Sequence, residues 1–206
     1  MLPSQYPEVQ NYSHLQKLLA DHIDMQFEDI RLLLGQPSGS SAVGGNLATA
    51  ALLFNAISGA SVCFYKTSWP GFTATSGSGA KFRNALKDHF PFVEVKIAPT
   101  EAIKVFYSYS RNPLAHSFGL GDPAKREVWI AKNPLTKRQI TELEDSAKLP
   151  MWSRPAIWET GIKPPPLSYT IGISGLYWGV HRMLQSIFAD SKQAVAADLV
   201  AKRLGF

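Results

Sequence analysis

Cysteine is almost absent from this sequence, in which Cys63 is the only one among 206 residues. A lone cysteine can form neither an intrachain disulfide nor a zinc site built from several thiolates. The sequence is therefore not one of the small disulfide-stapled domains typical of secreted proteins, and a reducing compartment is expected.

Charged residues are also scarce, at 18% of the chain beside an ordinary hydrophobic content of 45%. About one quarter is usual for a globular protein, so the low value indicates that a partner covers part of the apolar surface. Lysine and arginine exceed the acids by 21 to 16, giving a net charge of +5. This excess permits weak attraction to polyanions but does not by itself identify a nucleic-acid-binding protein.

No basic segment followed by an apolar run occurs in residues 1–10, so a signal peptide is not predicted and a cytoplasmic location is expected. The stretch most suited to a membrane is residues 47–65, which is interrupted by Asn55, Ser58, Gly59 and Ser61. A buried central helix explains its composition better than a membrane span does. We therefore expect no membrane association.

Apolar residues that recur every three or four positions predict a mainly α protein, a helical bundle in a single domain of residues 1–206. The predicted helices cover residues 12–34, 42–66, 80–90, 100–110, 136–148, 168–189 and 190–204. Thr136 and Gln139 form a capping box at the start of one of them. Alternating residues around Val95 and Ile130 add at most a small β-hairpin.

Motifs for binding metals or nucleotide phosphates are missing. No His-x-His, Cys-x-x-Cys or His-Glu-x-x-His spacing occurs, nor a Walker phosphate loop or a dinucleotide fingerprint. Asp21, Asp24 and Glu28 share one side of a predicted helix, which is typical of a solvated acidic face. The sequence thus predicts neither a metal site nor a cofactor.

The most informative segment is residues 107–119, where an arginine and an asparagine precede a proline and then a histidine. In a regular α-helix His116 would lie about 140° around the axis from Arg111. Pro113 lacks the amide that should bond to the carbonyl of Tyr109, so we expect the helix to kink or end there. A tightened turn would then bring His116 toward Arg111.

The sequence Arg111-Asn112-x-x-x-His116 at a helix end resembles the Arg-x(4-6)-His motif of the HEPN superfamily. The resemblance covers roughly residues 15–121, with a HEPN-like core at about 9–121, and the helices at about 136–148 and 168–204 are additional. Arg83 and His89 also match the Arg-x(4-6)-His pattern, with five intervening residues, but they lie in an ordinary-looking amphipathic helix without a proline.

The resemblance implies a compact helical bundle that forms a homodimer and acts as a metal-independent ribonuclease with the motif in the dimer cleft. Arg111 would bind the scissile phosphate, and His116 would transfer protons. Asn112 would orient a phosphate or hold the turn, Tyr107 or Tyr109 would stack a base, and Ser117 is a further candidate substrate contact.

Three classes of function follow from this comparison. The first is an endoribonuclease of the toxin–antitoxin or phage-defence type, which binds RNA and is paired with an antitoxin or defence partner protein. The second is a catalytically inactive HEPN-like module that binds a nucleotide or a protein, and the third is an unrelated helical scaffold. Pro113 departs from many members of the superfamily, so the first two classes both stay open.

Overall fold

The structure is a computed structural model that describes residues 1–11, 14–36, 43–63, 77–92, 95–116, 126–160 and 167–189. Within these ranges the chain is mainly helical with a small β element, as predicted. The helices are α1 (His14–Gly35), α2 (Val43–Cys63), α3 (Ser78–His89), α4 (Pro99–Lys104), a π-helix (Val105–Arg111), α5 (Asn112–His116), α6 (Lys137–Asp145) and α7 (Ile173–Ala189). The strands are β1 (Arg126–Ala131), β2 (Trp158–Thr160) and β3 (Leu167–Gly172).

Helix α2 lies at the centre and packs against α1, α3, α7 and the π-helix. Leu53, Phe54 and Ile57 on its inner face are fully or almost fully buried, and the rings of Phe54 and Phe106 are 5.8 Å apart. Only 44% of the residues in Gly45–Val62 are buried, so the predicted buried central helix is buried on one face only. By length and composition alone the same helix could cross a membrane, a test that core helices also pass.

The sheet differs from the predicted hairpin. Strand β3 is central, with β1 parallel to it on one side and β2 antiparallel on the other. Tyr169 and Ile171 of β3 and Val128 of β1 point into the core. The predicted strand at Ile130 is confirmed, but its partner is residues 167–172 rather than the segment around Val95.

Residues 95–98 form no strand because they lead directly into α4, which has Pro99 at its start. Val95 and Ile97 instead pack, half-buried, against the core. The helix predicted from residue 168 begins five residues later, at Ile173. The residues predicted as the start of that helix, 168–172, instead belong to strand β3. In this strand Ser168 and Thr170 lie on the opposite face from Tyr169 and Ile171.

The capping box at the start of α6 is confirmed. The backbone N–H of Gln139 donates to the Thr136 hydroxyl at 3.3 Å, and the N–H of Thr136 donates to the Gln139 side-chain oxygen at 2.9 Å. The helix ends at Asp145, three residues before the predicted end. The predicted helix at 190–204 lies outside the described residues, as do residues 117–121 at the end of the predicted HEPN-like core.

Candidate functional site

The helix that carries the arginine motif changes its hydrogen-bond register before the motif begins. Over Val105–Arg111 it is a π-helix, in which Asn112 donates its N–H to the carbonyl of Tyr107 five residues back. The Ser110 hydroxyl donates to the carbonyl of Val105 at 2.9 Å and supports the wider turn from inside the core. Single-turn π segments occur frequently at functional sites.

Pro113 does not end this helix, contrary to the expectation from the sequence, because α5 continues through it to His116. A proline ring in a regular α-helix would collide with the carbonyl four residues back. We attribute its tolerance here to the π-helical turn that precedes it. The turn after Arg111 is α-helical rather than tightened, so the predicted tightened turn that would bring His116 toward Arg111 does not form. Only the backbone of His116 is described and Ser117 lies outside the described residues, so their roles stay predictions.

The Arg111 side chain is held between α5 and α2. Its Nε donates to the Ser58 hydroxyl at 3.4 Å, and one terminal nitrogen donates to the Asn112 side-chain oxygen at 3.2 Å. The guanidinium is half-buried and lines a small pocket of about 70 Å³ together with Asn55 and Leu114. Asn112 thus restrains Arg111, while Asn55 on the exposed side of α2 marks where the pocket meets solvent.

Tyr107 lies beside two arginines. The guanidinium carbon of Arg83 is 4.7 Å from the centre of the Tyr107 ring, and that of Arg111 is 6.0 Å from the same centre. A Cβ at Gly79 would collide with the Tyr107 hydroxyl, so glycine allows α3 to approach this ring closely. The two guanidinium groups are therefore separated by no more than the sum of the two distances. An aromatic face with two cations nearby suits a group that carries both a ring and a negative charge.

Tyr109 is separated from this group. It lies two residues from both Tyr107 and Arg111, a spacing at which helical side chains do not face each other. Its ring is 5.8 Å from the Lys104 ammonium and packs against the core. Of the two tyrosines predicted as candidate stacking residues, Tyr107 is thus the one next to Arg111.

Sequence reasoning did not select Arg83, because the Arg83-to-His89 match lies in an ordinary-looking amphipathic helix without a proline. In the structure the two residues of that match contact different partners. Arg83 is exposed and faces Tyr107, whereas His89 bonds through Nδ1 to the Ser186 hydroxyl of α7 at 2.9 Å. The signal that points to Arg83 is Gly79, one helical turn earlier, which permits the close approach of the two helices.

The strongest pKa shifts occur elsewhere, around Glu144 of α6. Arg31 donates two hydrogen bonds to this carboxylate, at 2.8 and 2.7 Å, and Tyr177 and the Met1 ammonium donate at 2.5 and 2.9 Å. Burial would raise the pKa of Glu144, but the hydrogen bonds from Arg31, Tyr177 and the ammonium outweigh it and lower the pKa to about 2. The carboxylate is 3% exposed, so all of its bonding capacity is used internally.

His181 of α7 extends this buried network. Its Nε2 is 2.7 Å from the carbonyl of Met1, and the Tyr6 hydroxyl is 3.2 Å from its Nδ1. Burial lowers the pKa of His181 to about 4. Burial likewise raises the pKa of Tyr6 and Tyr177 well above the ordinary value. The network joins the amino terminus to α1, α6 and α7, and we interpret it as a structural connection because its polar atoms bond to one another.

Across the described part of the chain, no group of three histidine, cysteine or acidic side chains is arranged to hold a metal ion. The arrangement best suited to ligand binding or catalysis is therefore Arg111 with Asn112, Ser58, Tyr107 and Arg83. Arg111 supplies a cation held by hydrogen bonds, Arg83 supplies a second, exposed cation, and Tyr107 supplies the aromatic ring between them. Comparison with family models, with curated proteins and with solved structures finds no match to this chain.

Proposed function

We propose that this protein is a metal-independent endoribonuclease that binds single-stranded RNA at Arg111, Tyr107 and Arg83. The observation that carries the proposal is the position of the Arg83 and Arg111 guanidinium groups beside the Tyr107 ring. A phosphodiester offers two anionic oxygens to a guanidinium, and a neighbouring base offers a ring to stack. The resemblance of the Arg111-to-His116 segment to the HEPN motif supports the same reaction.

In the proposed reaction the 2′-hydroxyl oxygen of the ribose attacks the adjacent phosphorus, and the bond from phosphorus to the 5′ oxygen breaks. His116 accepts the 2′ proton and donates a proton to the departing 5′ oxygen. Arg111 stabilises the extra negative charge on the phosphoryl oxygens. The products are a 2′,3′-cyclic phosphate and a free 5′-hydroxyl, with no metal required.

Arg83 and Tyr107 have a binding role in this scheme. Arg83 is exposed, so it can contact a second phosphate of a flexible strand without a large desolvation cost. Tyr107 is half-buried and fixed by the Phe82 ring, whose centre is 5.6 Å away. A ring fixed in this way loses little entropy when a base stacks on it.

We propose further that two chains form a symmetric homodimer through the half-exposed face of α2. That face carries small residues such as Ala48 and Ala51 and reaches the Arg111 pocket through Asn55, so a two-fold contact there would place two pockets near each other. Light scattering of the purified protein at micromolar concentration should give twice the mass of one chain. A clean monomer that still cleaves RNA would contradict the shared cleft.

The nuclease proposal is tested with purified protein and a mixture of single-stranded RNA in excess chelator. Cleavage is expected to persist in chelator, because a ribose hydroxyl is the nucleophile and needs no metal. The negative controls are DNA and fully 2′-O-methylated RNA of the same sequences. Both lack a free 2′-hydroxyl and should stay intact. If the protein binds RNA but cuts none of it under any condition, the inactive binding module becomes the better description.

A further inference from the structure

Three of the five tryptophans lie exposed or half-buried near the outer face of the sheet. Trp129 is 60% exposed, Trp152 is 38% exposed, and Trp158 is half-buried. Trp178, by contrast, is buried, and its indole N–H donates to the carbonyl of Ser146 at 2.9 Å. Covering a tryptophan removes about 150–250 Å² from water, so exposed indole rings mark a surface where a ligand gains apolar contact.

The register of the sheet places Trp129 and Trp158 on one face. Both lie directly opposite Thr170 of β3, Trp129 from β1 and Trp158 from β2. Residues opposite each other in a sheet point to the same side, and Tyr169 and Ile171 point to the other side, into the core. Since neighbouring strands are about 4.8 Å apart, the two tryptophan Cα atoms are separated by about 10 Å. The outer face of the sheet thus carries two indole rings with the small side chain of Thr170 between them.

The Trp158 ring is held in place by the segment that leads into β2. A Cβ at Gly172 would lie 2.9 Å from a ring carbon of Trp158, so the glycine lets this ring approach the backbone of β3. A Cβ at Gly175 would collide with the carbonyl of Arg154, so the same segment also packs tightly on the start of α7. The backbone N–H of Arg154 donates to the Ser174 hydroxyl at 3.1 Å. A ring that is fixed before binding loses little entropy when a ligand stacks on it.

Arg154 adds a cation to this surface. The residue is exposed, and its guanidinium carbon is 5.9 Å from the centre of the Trp158 ring. No acidic side chain in the described part of the chain forms an ion pair with it. Arg154 also lines a pocket of about 90 Å³ together with Trp152 and Asn133, an exposed residue of a type that can hydrogen-bond to the edge of a base. We call Trp129, Trp152, Trp158 and Arg154 the tryptophan face.

From this geometry we infer that the tryptophan face binds nucleotides of a single-stranded RNA, with a base stacked on an exposed indole ring and a phosphate at Arg154. Aromatic rings stack on any base, and a guanidinium matches the oxygens of the phosphate beside it. The net charge of +5 favours a polyanionic ligand as well. A neutral sugar would also stack on the rings, but it would gain nothing from the charge of Arg154.

Glu127 indicates how the RNA lies on the tryptophan face. It is opposite Ser168, whose hydroxyl donates to its carboxylate at 3.2 Å, whereas Arg154 packs near Gly172 at the other end of β3. Because a carboxylate repels phosphates, we expect the bound phosphates at the Arg154 end. The inference goes beyond the proposed cleavage at Arg111 and requires only binding, so it does not depend on that activity.

The probe is a fluorescent single-stranded RNA of about 12 nucleotides, fully 2′-O-methylated so that the proposed reaction cannot cut it. The control is an abasic oligomer of the same length and charge. With the full-length protein, fluorescence anisotropy should show the RNA binding at least about tenfold more tightly than the abasic oligomer, because stacking needs bases. Trp129→Ala should weaken RNA binding at least about fivefold, whereas Trp129→Phe, which retains a ring, should stay within about twofold of the wild type. Because Trp129 is 60% exposed, the fold should persist in both variants, as circular dichroism can verify.

The role of Arg154 is tested with a control that changes the net charge equally. Arg154→Ala should weaken RNA binding at least about threefold, whereas Lys17→Ala should change it less than about twofold. Lys17 lies near the start of α1, about 25 Å along the helix from Leu34. The carbonyl of Leu34 accepts the N–H of Leu135, which lines the Arg154 pocket, so Lys17 is far from the tryptophan face.

Quenching of tryptophan fluorescence separates stacking from a structural role and from the nuclease. The RNA should quench the wild type and Arg111→Ala equally, and it should quench Trp129→Phe less although the affinity is kept. Unchanged RNA affinity in Trp129→Ala, or equal binding of the abasic oligomer, would overturn the inference. Displacement of the RNA by micromolar adenosine monophosphate would reassign the face to a free nucleotide and overturn the RNA occupant. Failure of the nuclease proposal would show separately, as unmethylated RNA that stays intact.

Discussion

Replacement of Arg111 by alanine is expected to lower the rate of RNA cleavage at least about a hundredfold, while the protein stays folded. The guanidinium is held by Ser58 and Asn112, so it meets the developing charge without reorganisation, and removing such a group typically costs this much. His116→Ala should cause a loss of similar size, because it removes the proton-transfer group. Single-turnover cleavage in excess chelator, with circular dichroism of each variant, measures both effects.

Two variants from the other match of the motif test the assignment further, and His89→Ala is the control. Arg83→Ala should raise KM several-fold with little change in kcat, because Arg83 is placed to bind substrate rather than to stabilise the reacting phosphate. His89→Ala should leave the kinetics unchanged, since its Nδ1 contacts Ser186 of α7. If His89→Ala abolished cleavage and His116→Ala did not, the motif assignment would be wrong.

Replacement of Glu144 by alanine is expected to lower the free energy of unfolding by about 3–5 kcal/mol. This change leaves Arg31 and Tyr177 facing an unpaired, largely buried space, and breaking a buried ion pair from one side has a cost of this order. Glu142→Ala is the matched control, because Glu142 is exposed on the same helix and should change stability by less than about 0.5 kcal/mol. Urea unfolding of the three proteins gives the comparison, and equal midpoints would contradict it.

The same network should make the protein sensitive to acid. His181 has its pKa lowered to about 4 in the fold, so its contribution is present above the ordinary pKa near 6.5 and is lost as the pH falls toward 4. Glu144 has its pKa lowered to about 2, so its contribution disappears at still lower pH. Glu144→Gln should remove the lower step and retain the upper one. Unfolding free energies measured between pH 7 and pH 3 test this, and stability that is constant over that range would contradict it.

The helices were predictable because their signals are local. The apolar spacing of α1 and the Thr136–Gln139 capping box each lie within a few residues of sequence, and both are confirmed. Strand β3 was not predictable in this way, because its six residues run directly into the apolar helix α7 and fit the first turns of that helix as well as a short strand. Its pairing with β1, in which Glu127 lies opposite Ser168, depends on contacts about forty residues apart.

The candidate site was predictable only in part for the same reason. The Arg111-to-His116 spacing is visible in the sequence, and so is the proline within it. The π-helical turn depends on the buried Ser110 hydroxyl reaching Val105, which the apolar pattern does not indicate. The position of Arg83 depends on how α3 packs against Tyr107, and only Gly79 gives a local sign of that contact.

The most direct test of the central claim is mass spectrometry of the RNA ends that the wild type and Arg111→Ala leave in excess chelator. The proposed reaction predicts 2′,3′-cyclic phosphate and 5′-hydroxyl ends from the wild type and almost none from the variant. Ends that carry a 5′-phosphate and a 3′-hydroxyl, or equal amounts of cyclic phosphate from both proteins, would contradict it.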